Sequence, residues 1–260
     1  MCDISALLEL AKSAAIKAGK RLLESVGEVD KSYVHCVDLP REIKAIADTV
    51  LDRDILQVLA AAQLAVLSEE SGYMPAPKNS DYWFIVDPLD GTFNFVKGLG
   101  PSAVSIGLWE RDRPVFGVVY SVADQRLTWG GLGLGAFSDG RQIAVSDTSS
   151  IAQASICTGL PVRFDVNHDN AIQDFWRLVR PYAKVRMLGS AAASLVHVAT
   201  GATDAYAEKN IMLWDVAAGL AIVEGAGGKI LTEETGTKWC YGVFASNASL
   251  FPSFQGASSE

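Results

Sequence analysis

Two short runs of apolar residues, Leu64-Ala-Val-Leu67 and Tyr82-Trp-Phe-Ile-Val86, are each followed by acids. Glu69-Glu70-Ser71 follows the first and Asp87-Pro88-Leu89-Asp90-Gly91-Thr92 the second. Runs this short and this apolar read as buried strands that stop at the acids. A carboxylate at the end of a buried strand must be paired or bound to a cation, because an isolated buried charge costs several kcal/mol even after relaxation. Neither segment contains Lys or Arg. Acids that converge without bases repel one another, and the simplest resolution is a divalent metal. An all-oxygen donor set favours a hard ion such as Mg²⁺.

The segment from Asp87 to Thr92 carries a second signal. Pro88 sets a bend after Asp87 and has no N–H to satisfy. Asp90 is placed to cap a short following helix, and Gly91-Thr92 would offer backbone N–H groups at its start. Cations on one side and a helix N-terminus on the other suit a phosphate. Taken alone, a DxxDGT segment is more often a capped turn with solvated acids; the neighbouring Glu69-Glu70 turns the balance toward a site. One more acid, Asp215 in Trp214-Asp215, heads a helix rich in small residues, Val216 to Gly228. On its own residues it is an N-cap.

The rest of the chain supplies a frame. Residues 3–26 and Glu42 to Gln63 read as amphipathic helices, with the period lost between 27 and 40. A helix beginning at Glu42 sets Lys44 and Asp48 one turn apart on one face, an ordinary ion pair. Val104 to Trp109 and Val115 to Tyr120 read as a hairpin. Gly131-Leu-Gly-Leu-Gly135 has the wrong spacing for a nucleotide fingerprint and reads as turns, with Asp139-Gly140 as a hairpin signal. Beyond residue 146 strands and helices alternate: strands at 154–158, 185–188, 203–206, 229–231 and 243–245, and helices at 170–179, 190–200 and 215–225. The expectation is an α+β domain over 1–145 followed by an α/β domain over 146–260.

Composition narrows the function classes. Of 260 residues 49% are apolar and 20% charged, which excludes disorder. A formal net charge of −8, with no basic stripe, argues against a nucleic-acid polymer as partner. The most apolar stretch, Ile55 to Leu67, falls short of the roughly 20 residues of a membrane span, so no membrane partner is expected. Cys2, Cys36, Cys157 and Cys240 form no CxxC pair, and His35, His168 and His197 lie far apart. Met1-Cys2-Asp3-Ile4-Ser5 is not a secretory leader, so reduced, buried thiols in a cytoplasmic protein are expected.

Glu69-Glu70-Ser71, the run Trp83 to Thr92 and Trp214-Asp215-Val-Ala-Ala-Gly219, in this order and over nearly the whole chain, resemble the inositol monophosphatase family of Mg²⁺-dependent, lithium-sensitive phosphomonoesterases. The resemblance implies a layered α-β-α-β-α sandwich, a homodimer and two or three Mg²⁺ ions per active site. It assigns Glu69, Asp87 and the Leu89 carbonyl to one metal and Asp87, Asp90 and Asp215 to a second. A third metal would sit near Glu69 and Glu70. It assigns Gly91 and Thr92 to phosphate and Thr92 with Asp48 to the attacking water, with Glu70 counted among the catalytic residues. Glu208, Gly189, Ser190, Ala191 and Lys44 go to the substrate side. Two features depart from the family. The segment Lys44-Ala-Ile-Ala-Asp48 is short and lacks the usual Thr, and Asn210 and Met212 stand where inositol-cleaving members more often carry Gly and His. The expected reaction is hydrolysis of a small polyol or sugar phosphate, myo-inositol 1-phosphate by default. Nucleotide 3′-phosphatase, fructose-1,6-bisphosphatase or histidinol-phosphatase activity remains open. So does a non-catalytic metal- or sugar-phosphate-binding role.

Overall fold

The computed structural model describes residues 3–25, 33–35, 43–160 and 169–251. Cys2, Cys36, His168 and most of the aperiodic stretch between 27 and 40 lie outside these. In chain order the elements are α1 (Ile4–Ser25), β1 (Tyr33–His35), β2 (Ile43–Ala45), α2 (Ile46–Leu59), a 3-10 turn at Ala60–Ala62, β3 (Ala65–Ser68), β4 (Gly72–Met74), β5 (Tyr82–Asp90) and α3 (Thr92–Lys97). There follow β6 (Ala103–Glu110), β7 (Arg113–Ser121), β8 (Arg126–Gly131), β9 (Gly135–Ser138), β10 (Arg141–Gln142), β11 (Ser155–Thr158) and α4 (Asp169–Val179). The chain continues with β12 (Lys184–Arg186), α5 (Ala191–Ala199), β13 (Ala205–Met212), α6 (Leu213–Gly225), β14 (Lys229–Glu234) and β15 (Cys240–Ser246).

Two large sheets organise these elements. The first has the order β10-β9-β8-β7-β6-β5-β3-β4, and only its β3–β5 pair is parallel. The second has the order β12-β11-β13-β15-β14. The apolar stripe of α1 (Leu7, Leu8, Ala11, Ala14, Ala15, Ala18, Leu22) and Leu51, Ile55 and Leu59 of α2 bury against one face of the first sheet. Helices α5 and α6 fill the space between the sheets. Leu178 of α4 packs on the outer face of the second sheet, against Ile156, Ala205 and Phe244. This is the five-layer α-β-α-β-α arrangement the family resemblance implies. Small residues make it tight. Gly107 and Gly117 face Ala217 and Ala218 of α6, and the indole N–H of Trp109 donates to the Ala217 carbonyl at 3.2 Å. Among the described residues no helix is long and apolar enough to cross a membrane.

Three differences from the sequence reading bear on the site. Helix α2 starts at Ile46, not Glu42, because Ile43–Ala45 pair antiparallel with Tyr33–His35. Lys44 is therefore on a strand opposite Val34 and not one helical turn from Asp48; its side chain lies outside the described residues. Strand β5 does not stop at Val86. It runs through Asp90, with a register shift between Asp87 and Asp90. Pro88 is tolerated there because an irregular position makes no demand for its missing N–H. Asp215 is not an N-cap: Met212 occupies that position and Asp215 lies inside the first turn of α6.

Candidate active site

The parallel pairing of β3 and β5 brings their ends together, and the Glu69 N–H donates to the Val86 carbonyl at 3.1 Å. Glu69 sits on the turn after β3, and Asp87 is near the end of β5. Asp215 arrives from the other side, on the first turn of α6. One carboxylate oxygen from each of the three lies within 4.8 Å of the other two. Asp87 is fully buried. Burial, then the charges of Glu69, Asp90 and Asp215, push its carboxyl well above the usual range. Asp215 is raised by burial and then by Glu69, Asp90 and Glu208. Such a group of acids is held together by protons or by a cation.

The donor set fits a hard divalent ion. With Mg–O bonds of about 2.0–2.1 Å, two ligands of one ion stand at most about 4.2 Å apart, and three oxygens within 4.8 Å of one another are near enough to close on such an ion. The Leu89 carbonyl lies one turn of chain away and accepts the Thr92 hydroxyl at 3.0 Å.

Asp90 stands apart from this trio. Its carboxylate accepts the Ser190 hydroxyl and the backbone N–H groups of Ala191 (3.3 Å) and Ala192 (2.8 Å). It therefore binds the N-terminus of α5, an element distant in sequence whose N-cap is Ser190, and not that of α3 as expected. Burial pushes its carboxyl up to about 6 against the lowering effect of these bonds. The N-cap of α3 is Gly91 at φ 81°. A Cβ there would meet the Pro101 and Gly189 carbonyl oxygens at 2.8 and 3.2 Å, so the position needs glycine for both conformation and space. Gly91 also accepts the Phe95 N–H and opens the first turn of α3, the expected phosphate seat.

Two positions escaped the sequence reading. Asp52, nearly fully buried on α2, accepts the hydroxyls of Ser68 and Ser71 and so ties the Glu69-Glu70 turn to that helix. Its signal was an acid one turn after Asp48, on a face that otherwise packs inward. Asp48 itself is buried in the first turn of α2, and Glu70 is half-buried beside Glu69. Asn94 of α3 donates to the carbonyls of Pro101 (2.9 Å) and Leu188 (2.7 Å), fastening the phosphate turn to the segment before Gly189.

Gly189, Ser190, Ala191 and Glu208 line one cleft of about 380 Å³ that reaches Asp90 and Asp215. Its outer wall includes Leu160, Met187, Ile211 and Met212. No described residue lining it is Lys, Arg or His. Glu208 lies on β13 and receives the Tyr206 hydroxyl at 2.9 Å. It is buried, and not a solvated partner of Lys209, which reaches Asp174 at 3.8 Å. Burial raises its carboxyl to about 7. Next to it, β13 bulges between Glu208 and Ile211, and Asn210 takes φ 60° there, a conformation glycine supplies most readily.

The sign of the Glu208 effect on stability is definite. Below its ordinary pKa of 4.5 the carboxyl is protonated folded or unfolded. As pH rises toward about 7 the unfolded chain loses a proton that the fold retains, so stability falls through this window. Glu208→Gln is expected to flatten that fall and to be more stable than the parent at pH 8, by on the order of 2–3 kcal/mol. Urea denaturation at pH 5 and pH 8 measures this. Equal pH dependence in the two proteins would contradict it.

A family model described as the inositol monophosphatase family matches residues 3–251. An inositol-1-monophosphatase of Synechocystis is 37% identical over 230 residues, covering 87% of this chain and 78% of that protein. A fructose-1,6-bisphosphatase/inositol-1-monophosphatase of Aquifex aeolicus is 33% identical, covering 88% and 86%. The crystal structure of the extragenic suppressor protein SuhB of Bartonella henselae superposes with a TM-score of 0.84 at 31% identity, covering 98% of this chain and 99% of that one.

Proposed function

This chain belongs to the inositol monophosphatase family and is a phosphomonoester hydrolase, and from that premise we propose that it is Mg²⁺-dependent and cleaves the monophosphate of a small polyol or sugar, myo-inositol 1-phosphate by default. The observation that carries this reading is the convergent trio Glu69, Asp87 and Asp215, with Asp87 buried and the other two half-buried, at a cleft whose described lining has no cation. A second phosphate on the leaving group would find no described base there, which favours a monoester over a bisphosphate.

Glu69, Asp87 and the Leu89 carbonyl would hold one Mg²⁺, Asp87 and Asp215 a second, with Asp90 as a further ligand and Glu70 beside the place of a third. When bound, the ions would lower the pKa of a water, neutralise phosphate charge and stabilise the leaving alkoxide. The chain's own groups do the rest. Backbone N–H groups at Gly91 and Thr92 seat the phosphate. The Thr92 hydroxyl, together with Asp48 on α2, orients the attacking water. Glu208 and the turn Gly189-Ser190-Ala191 grip the leaving group. The half-neutral Glu208 can donate to or accept from a hydroxyl near pH 7. Free, buried Cys157 and Cys240 agree with a reducing cytoplasmic setting, and a homodimer completes the reading.

The test is phosphate release from a panel of myo-inositol 1-phosphate, a nucleoside 3′-phosphate, fructose 1,6-bisphosphate and histidinol phosphate, each with Mg²⁺ and with EDTA. Mg²⁺-dependent release that favours the inositol ester is the expected result. Preference for the bisphosphate would overturn the substrate reading, and turnover of none would favour a binding protein. Glu208→Gln is expected to change the ratio of rates between substrates more than the rate on the best one. An equal loss on all of them would remove Glu208 from the specificity contacts.

A further inference from the structure

The three acids of the trio come from three separate segments: the turn between β3 and β4, strand β5, and the first turn of α6. Two belong to the first sheet, and the third is bonded to the second. Trp239 meets the strand that follows the first of these segments, the start of the second and the start of the third. Trp239 sits on the hairpin between β14 and β15, half-buried, at φ 62°. Its ring stacks on Tyr73 of β4 with centroids 6.2 Å apart and planes 24° apart. The same ring lies 5.3 Å from that of Trp83 on β5. Its carbonyl accepts the N–H of Leu213, the first residue of α6, at 2.8 Å. Tyr73 stands a few residues after Glu69, Trp83 a few before Asp87, and Leu213 just before Asp215.

We propose that Trp239 is a positioning residue for the acid trio, clasping Tyr73 and Trp83 with its ring while its carbonyl holds the turn that carries Asp215. The inference rests on the metal reading given above. Its physical basis is that Glu69 and Asp87 come from the first sheet while Asp215 follows β13 of the second, so the contacts that join these elements set the spacing of the three carboxylates. Aromatic pairs of this geometry stabilise beyond the area they bury. A left-handed tryptophan costs conformational energy that a glycine would not, which agrees with a ring retained for its contacts. The Lys238 ammonium lies 5.0 Å from the centroid of the same Trp239 ring.

The variant Trp239→Gly separates ring from backbone. Glycine takes φ 62° readily, so the carbonyl keeps its bond to Leu213 and only the clasp is lost. Calorimetric titration of the intact, substrate-free protein with MgCl₂ reads metal affinity directly. Trp239→Gly is expected to weaken Mg²⁺ binding about tenfold, the scale of lost support around ligands, and Trp239→Phe to restore most of it. In activity assays the Mg²⁺ concentration for half-maximal rate should rise, with the rate at saturating Mg²⁺ largely kept. Tyr73→Ala, at a half-exposed ring, should weaken binding in the same direction and carries the test if the glycine variant does not fold. If wild type binds Mg²⁺ and both ring deletions bind it equally well, the clasp is overturned while the metal reading stands. If wild type binds none, both fall.

Discussion

Asp87→Asn is expected to lower phosphate release at least about 1,000-fold, roughly 4 kcal/mol of transition-state stabilisation, while the metal-free protein melts at a higher temperature than wild type. The two effects share one cause. Asp87 is buried among Glu69, Asp90 and Asp215, and its charge is unfavourable without a cation. An asparagine of the same shape removes one charge from a group of repelling acids, and the amide can still accept the Leu89 N–H that the Asp87 carboxylate receives at 2.9 Å. The fold gains what the catalyst loses. Melting temperature without metal, Mg²⁺ titration and turnover together check this. A variant that retains a tenth of wild-type activity would remove Asp87 from the metal centre. One that is inactive but less stable would show that its loss disturbs packing and not charge.

Gly117→Val is expected to destabilise the protein by about 3 kcal/mol, at the upper end of overpacking effects. Gly117 is in the middle of β7, where the backbone of α6 crosses the sheet. A Cβ built there overlaps the main-chain atoms of Ala218, which have no rotamer to escape into. Relief requires α6 to move off the first sheet, against the Trp109 bond to Ala217. Urea unfolding followed by far-ultraviolet circular dichroism measures the loss. A change under 1 kcal/mol would mean that the interface between α6 and the sheet yields easily. Because α6 carries Asp215, residual folded enzyme should also bind Mg²⁺ more weakly.

Most of the site was legible because its signals are local and chemically unusual. Acids without bases at the ends of apolar runs have few physical explanations, and Glu69, Asp87 and Asp215 do converge. Asp90 shows where this reasoning stops. Its neighbours in sequence suggest a cap for α3, yet its oxygens reach the N-terminus of α5, about a hundred residues later. Nothing local encodes that choice. It follows from where the second sheet docks. The start of α2 was missed for a similar reason. Ile43 and Ile46 fit a helical stripe, and a strand partner at Tyr33–His35 captured residues 43–45. Strand propensity in a three-residue segment is too weak to declare itself against that period.

By itself, then, the order of residues determined the kinds of chemistry present: carboxylates without bases, a glycine in a tight turn, and small residues where a helix must lie flat on a sheet. These follow from side-chain identity, which is independent of distant partners. The tertiary structure decided which acids converge, that Asp52 ties down the Glu69 turn, that Glu208 is buried, and that Trp239 meets β4, β5 and the start of α6. Those outcomes depend on the separation of two sheets, and that separation is set by the packing of helices α5 and α6 between them, a sum over many contacts that no short segment contains.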